Sequence, residues 1–279
     1  MRAGFIGAGK VGFSLGKYFM VNGIEVTGYY SRNENSAREA SVFTKTKHFM
    51  KVEDLINESS IIFLTVPDDE IYNLWNHIKN LNIREKIICH TSGSLSSNIF
   101  SNHFQSDVYV YSIHPLFPIS DKFESYKFLK NALFTIEGND KYVKELTELF
   151  NNMGNKIIVM KNSDKTLYHL AAVTVSNLFC GLINRSVSYL MEYGFSENDA
   201  VEALYPLIAA NINNIKENGI VNALTGPVER GDVNTLKKHL SVIPKDHEST
   251  YKDLSMELIK IAKIKNEHRD YKKCMEELK

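Results

Sequence analysis

Three glycines near the start of this chain constrain its fold more than any other feature. Residues 3–6, Ala-Gly-Phe-Ile, have the apolar character of a short buried strand. The turn Gly7-Ala8-Gly9-Lys10-Val11-Gly12 follows directly, and an amphipathic helix is predicted from about Lys10 to Val21. In G-x-G-x-x-G between a strand and a helix, each glycine has its own task. Gly7 permits the tight turn, Gly9 lets a ligand approach the backbone, and Gly12 lets the helix pack closely on the strand. The free N–H groups and positive dipole end of the helix then suit a pyrophosphate. Alone the motif is weak; in this context it predicts a dinucleotide site at residues 7–12.

The next element bears on which dinucleotide. Residues 23–30 (G-I-E-V-T-G-Y-Y) read as a second strand, rich in β-branched and aromatic residues. A site preferring NAD usually ends this strand with Asp or Glu, which binds the ribose 2′-hydroxyl. Here Ser31-Arg32-Asn33 follows. No acid repels a 2′-phosphate, Ser31 can donate a hydrogen bond, and Arg32 can stack on adenine or pair with phosphate. The expected cofactor is NADP(H), although Arg32 also fits a plain solvated loop.

Strand and helix patterns alternate through the first half. Further strands are predicted near 47–50, 60–66, 86–90, 108–113, 132–136 and 156–160, with helices at 52–57, from Asp68-Asp69 to about 80, and 140–153. The run S-I-I-F-L-T-V at 60–66 is continuously apolar, as in a strand covered on both faces. The expectation is an α/β domain with a doubly wound, mainly parallel sheet. After Lys161 only helical periodicity remains: 164–193 with Gly194 as C-cap, a helix opened by Ser196, and helices at 233–240 and 246–273. The predicted division is 1–158 for the α/β domain and 159–279 for an all-helical one. The charged end, K-N-E-H-R-D-Y-K-K-C-M-E-E-L-K, reads as a solvated face or frayed tail.

Ligands of open α/β sheets bind outside the C-terminal strand ends. Three such ends carry chemistry. Thr65-Val66-Pro67 is stiffened by proline and belongs beside the cofactor ribose. Thr91-Ser92-Gly93 offers hydroxyls and close backbone approach, or simply caps a helix near Leu95. His114 opens a loop made rigid by Pro115 and Pro118; a histidine satisfied within the core is its plain alternative. No cluster has metal spacing, and His90 with His114 is a poor zinc pair. In the long helix after Asp164, His169 and Ser176 lie roughly 20° apart and Asn177 about 80° away. Only small residues intervene, so these three are candidate catalytic groups or a polar network between helices. Arg230, in Thr225-Gly226-Pro227-Val228-Glu229-Arg230-Gly231-Asp232, is a candidate grip for a substrate carboxylate or cofactor phosphate, or a partner of Glu229 or Asp232.

Composition narrows the classes. The 33 basic and 33 acidic residues give no net charge and no basic block, which argues against nucleic acid. Three scattered cysteines without C-x-x-C suggest a reducing compartment. The first strand begins at once, leaving no room for a signal peptide, and polar residues interrupt the apolar stretch 167–183. A cytoplasmic protein without a membrane span is expected. Apolar residues run nearly all round the helix at 167–190, which predicts a homodimer through the helical domain.

Several segments together resemble one group: G-F-I-G-A-G-K-V-G, H-T-S-G-S, S-I-H-P-L, Y-H-L-A-A-V-x-x-S-N and L-T-G-P-V-E-R-G-D. The sequence is similar to Rossmann-like proteins with a C-terminal DUF2520 domain, and in layout to pyrroline-5-carboxylate reductase, ketopantoate reductase and β-hydroxyacid dehydrogenases. The resemblance implies a Rossmann domain, an all-helical domain and an active site in the cleft between them. It implies that Gly7–Gly12 and Ser31-Arg32 hold NADP and that His169, Ser176 and Asn177 meet the nicotinamide. Hydroxyacid dehydrogenases carry K-x-x-N-N on the corresponding helix and pyrroline reductases G-S-G-P-A; His169-Leu170-Ala171-Ala172-Val173 stands at that place here. The expected activity is hydride transfer between NADP(H) and a small carbonyl, imine or alcohol. The other reading is a non-catalytic NADP(H)-binding redox sensor.

Overall fold

A computed structural model describes residues 1–101, 107–161 and 164–279. It divides into two compact units, Met1–Cys180 and Gly181–Lys279.

The first unit is an eight-stranded sheet flanked by helices. Its elements are β1 (Arg2–Ile6), α1 (Lys10–Val21), β2 (Glu25–Tyr30), α2 (Glu34–Thr44), β3 (Lys47–His48), α3 (Val52–Glu58), β4 (Ile61–Leu64), α4 (Asp68–Ile78), β5 (Ile87–His90), β6 (Tyr109–Leu116), β7 (Leu133–Gly138), α5 (Val143–Asn152), β8 (Lys156–Val159) and α6 (Thr166–Val175). The strand order is β3-β2-β1-β4-β5-β6-β7-β8, parallel except where β6 meets β7. Strand order reverses between β1 and β4, which is where open α/β sheets leave a crevice for ligands.

Both sheet faces are buried, which explains the uninterrupted apolar strands. Ile61, Ile62, Phe63 and Leu64 of β4 are all fully buried. On one face Phe5 stacks on Tyr29 and Phe63, with Phe19 of α1 edge-on to both phenylalanines. On the other, Trp75 packs edge-on against Phe100.

Several elements depart from the sequence expectation. β6 runs through His114 and Pro115, which were expected in a loop. Its neighbour β5 ends at His90, opposite Ser112, so residues 113–116 have no partner on that side. A proline lacking N–H is tolerated on such an overhang. The helix expected near Leu95 is a single 3₁₀ turn, Ser97–Phe100, capped by Ser96.

The predicted long helix after Asp164 is two helices. α6 ends at Ser176 (φ −114°, ψ −79°), and α7 (Asn177–Met191) follows. Thr174 and Ser176 donate back to the carbonyls of Leu170 and Ala172, and such back-bonding bends helices. The β-branched run Val173-Thr174-Val175 adds low helix propensity. The stretch Thr166–Met191 is, by length and composition, long and apolar enough to cross a membrane: an 18-residue window has mean hydropathy 1.5. It is the one such stretch among the described residues and was not expected from the interrupting polar residues.

The second unit comprises the remainder of α7, α8 (Glu197–Ala223), α9 (Pro227–Arg230), α10 (Val233–Val242), α11 (Lys245–Lys265) and α12 (Lys272–Glu277). Ser196 and Asp232 accept from the backbone N–H of Asp199 and Thr235, as caps should. Gly219 (φ +77°) kinks α8. Val228, Leu236, Ile259, Ala262, Tyr271, Cys274 and Leu278 form a core. Tyr271, Cys274 and Leu278 are buried, so the charged end is packed and not a frayed tail.

Candidate functional site

The glycine turn has the geometry the motif requires. Gly7 has φ +107°, and a Cβ there would lie 2.7 Å from the Thr65 carbonyl oxygen. A Cβ on Gly12 would lie 2.4 Å from both the Gly7 carbonyl and Thr65 Oγ1. Thr65, which follows β4, donates from Oγ1 to the Gly7 carbonyl at 2.8 Å. Sequence reasoning placed Thr65 near a ribose; here it fastens the turn across the β1/β4 crevice. At Gly9 a would-be Cβ meets no described atom within 4 Å beyond its own chain neighbours, so space is open over the N-terminus of α1. No acidic side chain occupies the first turn of that helix. An open backbone approach at a helix N-terminus fits a phosphate. Ala8 is buried, while Lys10 is exposed and Val11 half-buried.

At the end of β2, Ser31 Oγ accepts from Asn33 N–H at 3.3 Å, and Asn33 caps α2. The Arg32 side chain is 75% exposed and pairs with Glu70 of α4 at 3.2 Å. A solvated guanidinium of this kind is free to change partner at small cost.

The loop after β5 is fixed from three directions. Asp68 accepts from Ser92 Oγ and Ser94 Oγ, both at 2.7 Å. The carboxylate of the first residue of α4 thus holds the Ser92-Gly93-Ser94 loop. Ser92 Oγ also accepts from the N–H groups of Ser94 and Leu95, so the capping alternative for Ser92 is realised in a turn. His90 is fully buried; its Nδ1 accepts from Ser92 N–H at 3.2 Å and its Nε2 lies 3.1 Å from the Ser96 carbonyl. That arrangement defines a neutral ring with its hydrogen on Nε2. Burial pushes its pKa down to about 4. His90 is therefore a scaffold of this loop.

The third support is Lys165, at the start of α6. Only 2% of it is exposed, and its Nζ donates to the Ser92 carbonyl and Ser112 Oγ, both at 2.7 Å. Burial lowers its pKa to about 8, opposed by the charges of Glu137 and Asp68.

Around Gly93 the two histidines singled out from the sequence meet. A Cβ on Gly93 would lie 2.9 Å from His114 Nε2 and 3.0 Å from His169 Nδ1. His114 Nδ1 is 2.7 Å from Tyr168 Oη, and Thr135 Oγ1 donates to the same oxygen at 3.2 Å. Burial, then the nearby Lys165 charge, lowers the His114 pKa to about 4. His169 Nδ1 is buried and has no hydrogen-bond partner among the described residues.

Ser176 and Asn177 do not join this group. Ser176 Oγ donates to the Ala172 carbonyl and to Asn177 Oδ1, and both residues are exposed at the helix break. The expected helix ran unbroken through both residues, and the structure interrupts it between them. Arg230 is exposed in the second unit. The anchor of its turn is Glu229, whose backbone carbonyl accepts from Arg269 and Tyr271 and whose carboxylate accepts from Asn266.

Sequence reasoning missed Lys165, Tyr168 and Asp68 as site residues. A signal for the first two was present. Lys165-Thr166-Leu167-Tyr168-His169 has the spacing K-x-x-Y-H, so a lysine stands one helical turn before His169. Among the described residues no three His, Cys, Asp or Glu side chains are placed to hold a metal ion.

Fold and site together define a class: a Rossmann-like α/β domain with a loaded set of strand ends, followed by helices. Residues 1–115 match the Rossmann-like domain, and residues 132–258 match DUF2520, a domain of unknown function. The chain is thus a Rossmann-like protein carrying a DUF2520 domain. Among solved structures it is similar to a Bacteroides fragilis protein assigned as an NADP oxidoreductase (23% identity, TM-score 0.73, covering 93% of this chain and 98% of that one). It is also similar to a Thermotoga maritima protein whose name states no activity (26%, 0.72, 96% and 100%). The Plasmodium falciparum pyrroline carboxylate reductase, solved with NADP bound, shares 16% identity (TM-score 0.65, 94% and 95%). No curated protein sequence matches.

Proposed function

We propose that this protein is an NADP(H)-dependent oxidoreductase acting on a small carbonyl, imine or alcohol. One observation carries the reading. β1, β4, β5 and β6 are parallel neighbours, so the glycine turn, Thr65–Asp68, the Ser92–Ser94 loop and His114 follow one another along a single edge of the sheet. A phosphate-type site at one end of a row of strand ends, and buried Lys165 with half-buried His114 and His169 at the other, suit an extended dinucleotide with its reactive ring among titratable groups.

Gly7 to Gly12 would hold the pyrophosphate, Ser31 and Arg32 the 2′-phosphate, and Val66, Pro67 and Thr91 the sides of the slot. The cofactor supplies or accepts the hydride. The chain's own residues orient the loop at Gly93 and manage a proton beside it. His169, with an unpaired ring nitrogen, is the best-placed group to give or take that proton. The NADP-related names of the structural neighbours support the cofactor. A cytoplasmic location belongs to the same reading and rests on three scattered cysteines without C-x-x-C.

A homodimer through the helical unit belongs to the same reading. Tyr193, Tyr205, Leu207 and Ile220 are each more than 60% exposed, and a second copy would cover them.

The test is a fluorescence titration with NADPH and NADH, followed by NADPH absorbance in the presence of small aldehydes, ketones, imines and alcohols. Tighter binding of NADPH with turnover of one of these classes is expected. Failure to bind either cofactor refutes the reading, and binding without any turnover favours the redox sensor.

A further inference from the structure

The polar groups above Gly93 have a direction. Thr135 Oγ1 donates to Tyr168 Oη, so the single phenol hydrogen is left for His114 Nδ1, 2.7 Å away. A neutral imidazole that accepts at Nδ1 carries its hydrogen on Nε2. That nitrogen is the one facing Gly93, where His169 Nδ1 also arrives. The ring of Tyr168 stands edge-on to His114, at 87° and 5.7 Å between centroids, which keeps both rings in place. Gly93 is required because any side chain would meet both imidazoles.

We infer that Tyr168, backed by Thr135, fixes His114 as the Nε2–H tautomer, so that His114 donates and His169 accepts at one substrate oxygen, that of an alcohol or its carbonyl. With the His169 hydrogen on Nε2, which leaves Nδ1 as an acceptor, a hydroxyl satisfies both nitrogens at once: its oxygen accepts from His114 Nε2–H, and its hydrogen goes to His169 Nδ1. On oxidation the hydroxyl proton passes to His169 Nδ1, the adjacent carbon loses hydride to NADP⁺, and the C=O bond forms. In reduction NADPH returns the hydride to carbon and the His169 imidazolium returns the proton to oxygen. His114 stays neutral throughout, as its depressed pKa allows.

An iminium substrate is disfavoured by the same groups. Its nitrogen has no lone pair for His114 Nε2–H, and it would bring a second cation beside buried Lys165. Asp68, whose charge reaches both His114 and Lys165, already accepts from Ser92 and Ser94. The alcohol and carbonyl class rests on the oxidoreductase reading; the tautomer does not.

The test is long-range ¹H–¹⁵N NMR of the ¹⁵N-labelled full chain at neutral pH, with ring signals assigned through H114N and H169N. His114 should show a pyridine-like Nδ1 and a pyrrole-like Nε2. Tyr168→Phe, and separately Thr135→Val, should move it towards a mixture of tautomers. A wild-type His114 protonated at Nδ1, or no change in Tyr168→Phe, overturns the inference. As a probe of the oxygen site, 2-propanol at molar concentration should shift both rings of the NADP⁺-mixed protein, while isopropylammonium chloride should do no more than potassium chloride. Equal shifts by the cation, or none by the alcohol, overturn the substrate class. NADP⁺ binding, read separately by intrinsic fluorescence, tells failure of the oxidoreductase reading from failure of this one.

Discussion

Replacing Lys165 by Met should be nearly neutral for stability at pH 7 and clearly destabilising at pH 10. Lys165 is 2% exposed and its pKa falls from 10.5 to about 8, with burial as the main cause. The folded state therefore binds this proton less tightly than the unfolded chain. Stability in the wild type must then rise with pH through the window from about 8 to about 10.5. A depression of this size corresponds to roughly 3 kcal/mol of destabilisation at pH 7, of which about 2.5 kcal/mol is recovered by pH 10. Methionine has a similar unbranched volume and no charge. It removes that cost but leaves the Ser92 carbonyl and Ser112 Oγ without their donor, a loss of about 1–3 kcal/mol. At pH 7 the two effects nearly cancel, and Lys165→Met should lie within about 2 kcal/mol of wild type. At pH 10 the variant should be clearly the less stable. Urea unfolding followed by far-UV circular dichroism at pH 7, 8, 9 and 10 measures both. Buried tyrosines such as Tyr29, with a raised pKa, oppose the trend at high pH but are common to both proteins and drop out of the difference. A wild-type minus variant difference that stays flat across this range would refute the account of Lys165 as a buried cation.

Gly12→Ala should cost at least about 1–3 kcal/mol, since its Cβ meets backbone and Thr65 Oγ1 at 2.4 Å, whereas Gly9→Ala should leave the melting temperature unchanged yet weaken NADPH binding; paired thermal melts and fluorescence titrations separate the two. Arg32→Ala should lower NADPH affinity about tenfold or more, with NADH little affected, because a charge-assisted contact is worth roughly 1.5–3 kcal/mol; its exposed pair with Glu70 should contribute almost nothing to the melting temperature. Acid should destabilise the protein as pH falls from 6.5 to about 4, because buried His90 resists the proton that the unfolded chain accepts. The loss assignable to His90 is roughly 3 kcal/mol, and a urea midpoint unchanged between pH 6.5 and 4.5 would contradict it.

The sequence by itself determined whatever depends on neighbours along the chain. The glycine turn is local chemistry: a positive φ at Gly7 and close packing at Gly12 are demands that only glycine meets, and both appear where the motif set them. The continuous apolar strands and the helix start at Ser196 were legible for the same reason. His114 and His169 were legible as polar groups set into apolar segments.

What the sequence left open is what depends on residues far apart. Lys165 reads as an ordinary charged residue before a helix; only the fold brings Ser92 and Ser112, 73 and 53 residues away, to its ammonium. Asp68 reads as a helix cap, and its carboxylate goes to a loop 24 residues on. The helix expected to run on past Ser176 breaks there, because side-chain hydroxyls compete for backbone carbonyls at the end of α6. Tyr168 gains its part only through the overhang of β6 past β5, which exposes His114 to the first turn of α6. Periodicity and propensity act within a few residues. Burial of a charge, the tautomer of a ring and the meeting of two imidazoles over a glycine are set by which strand ends the sheet order places side by side.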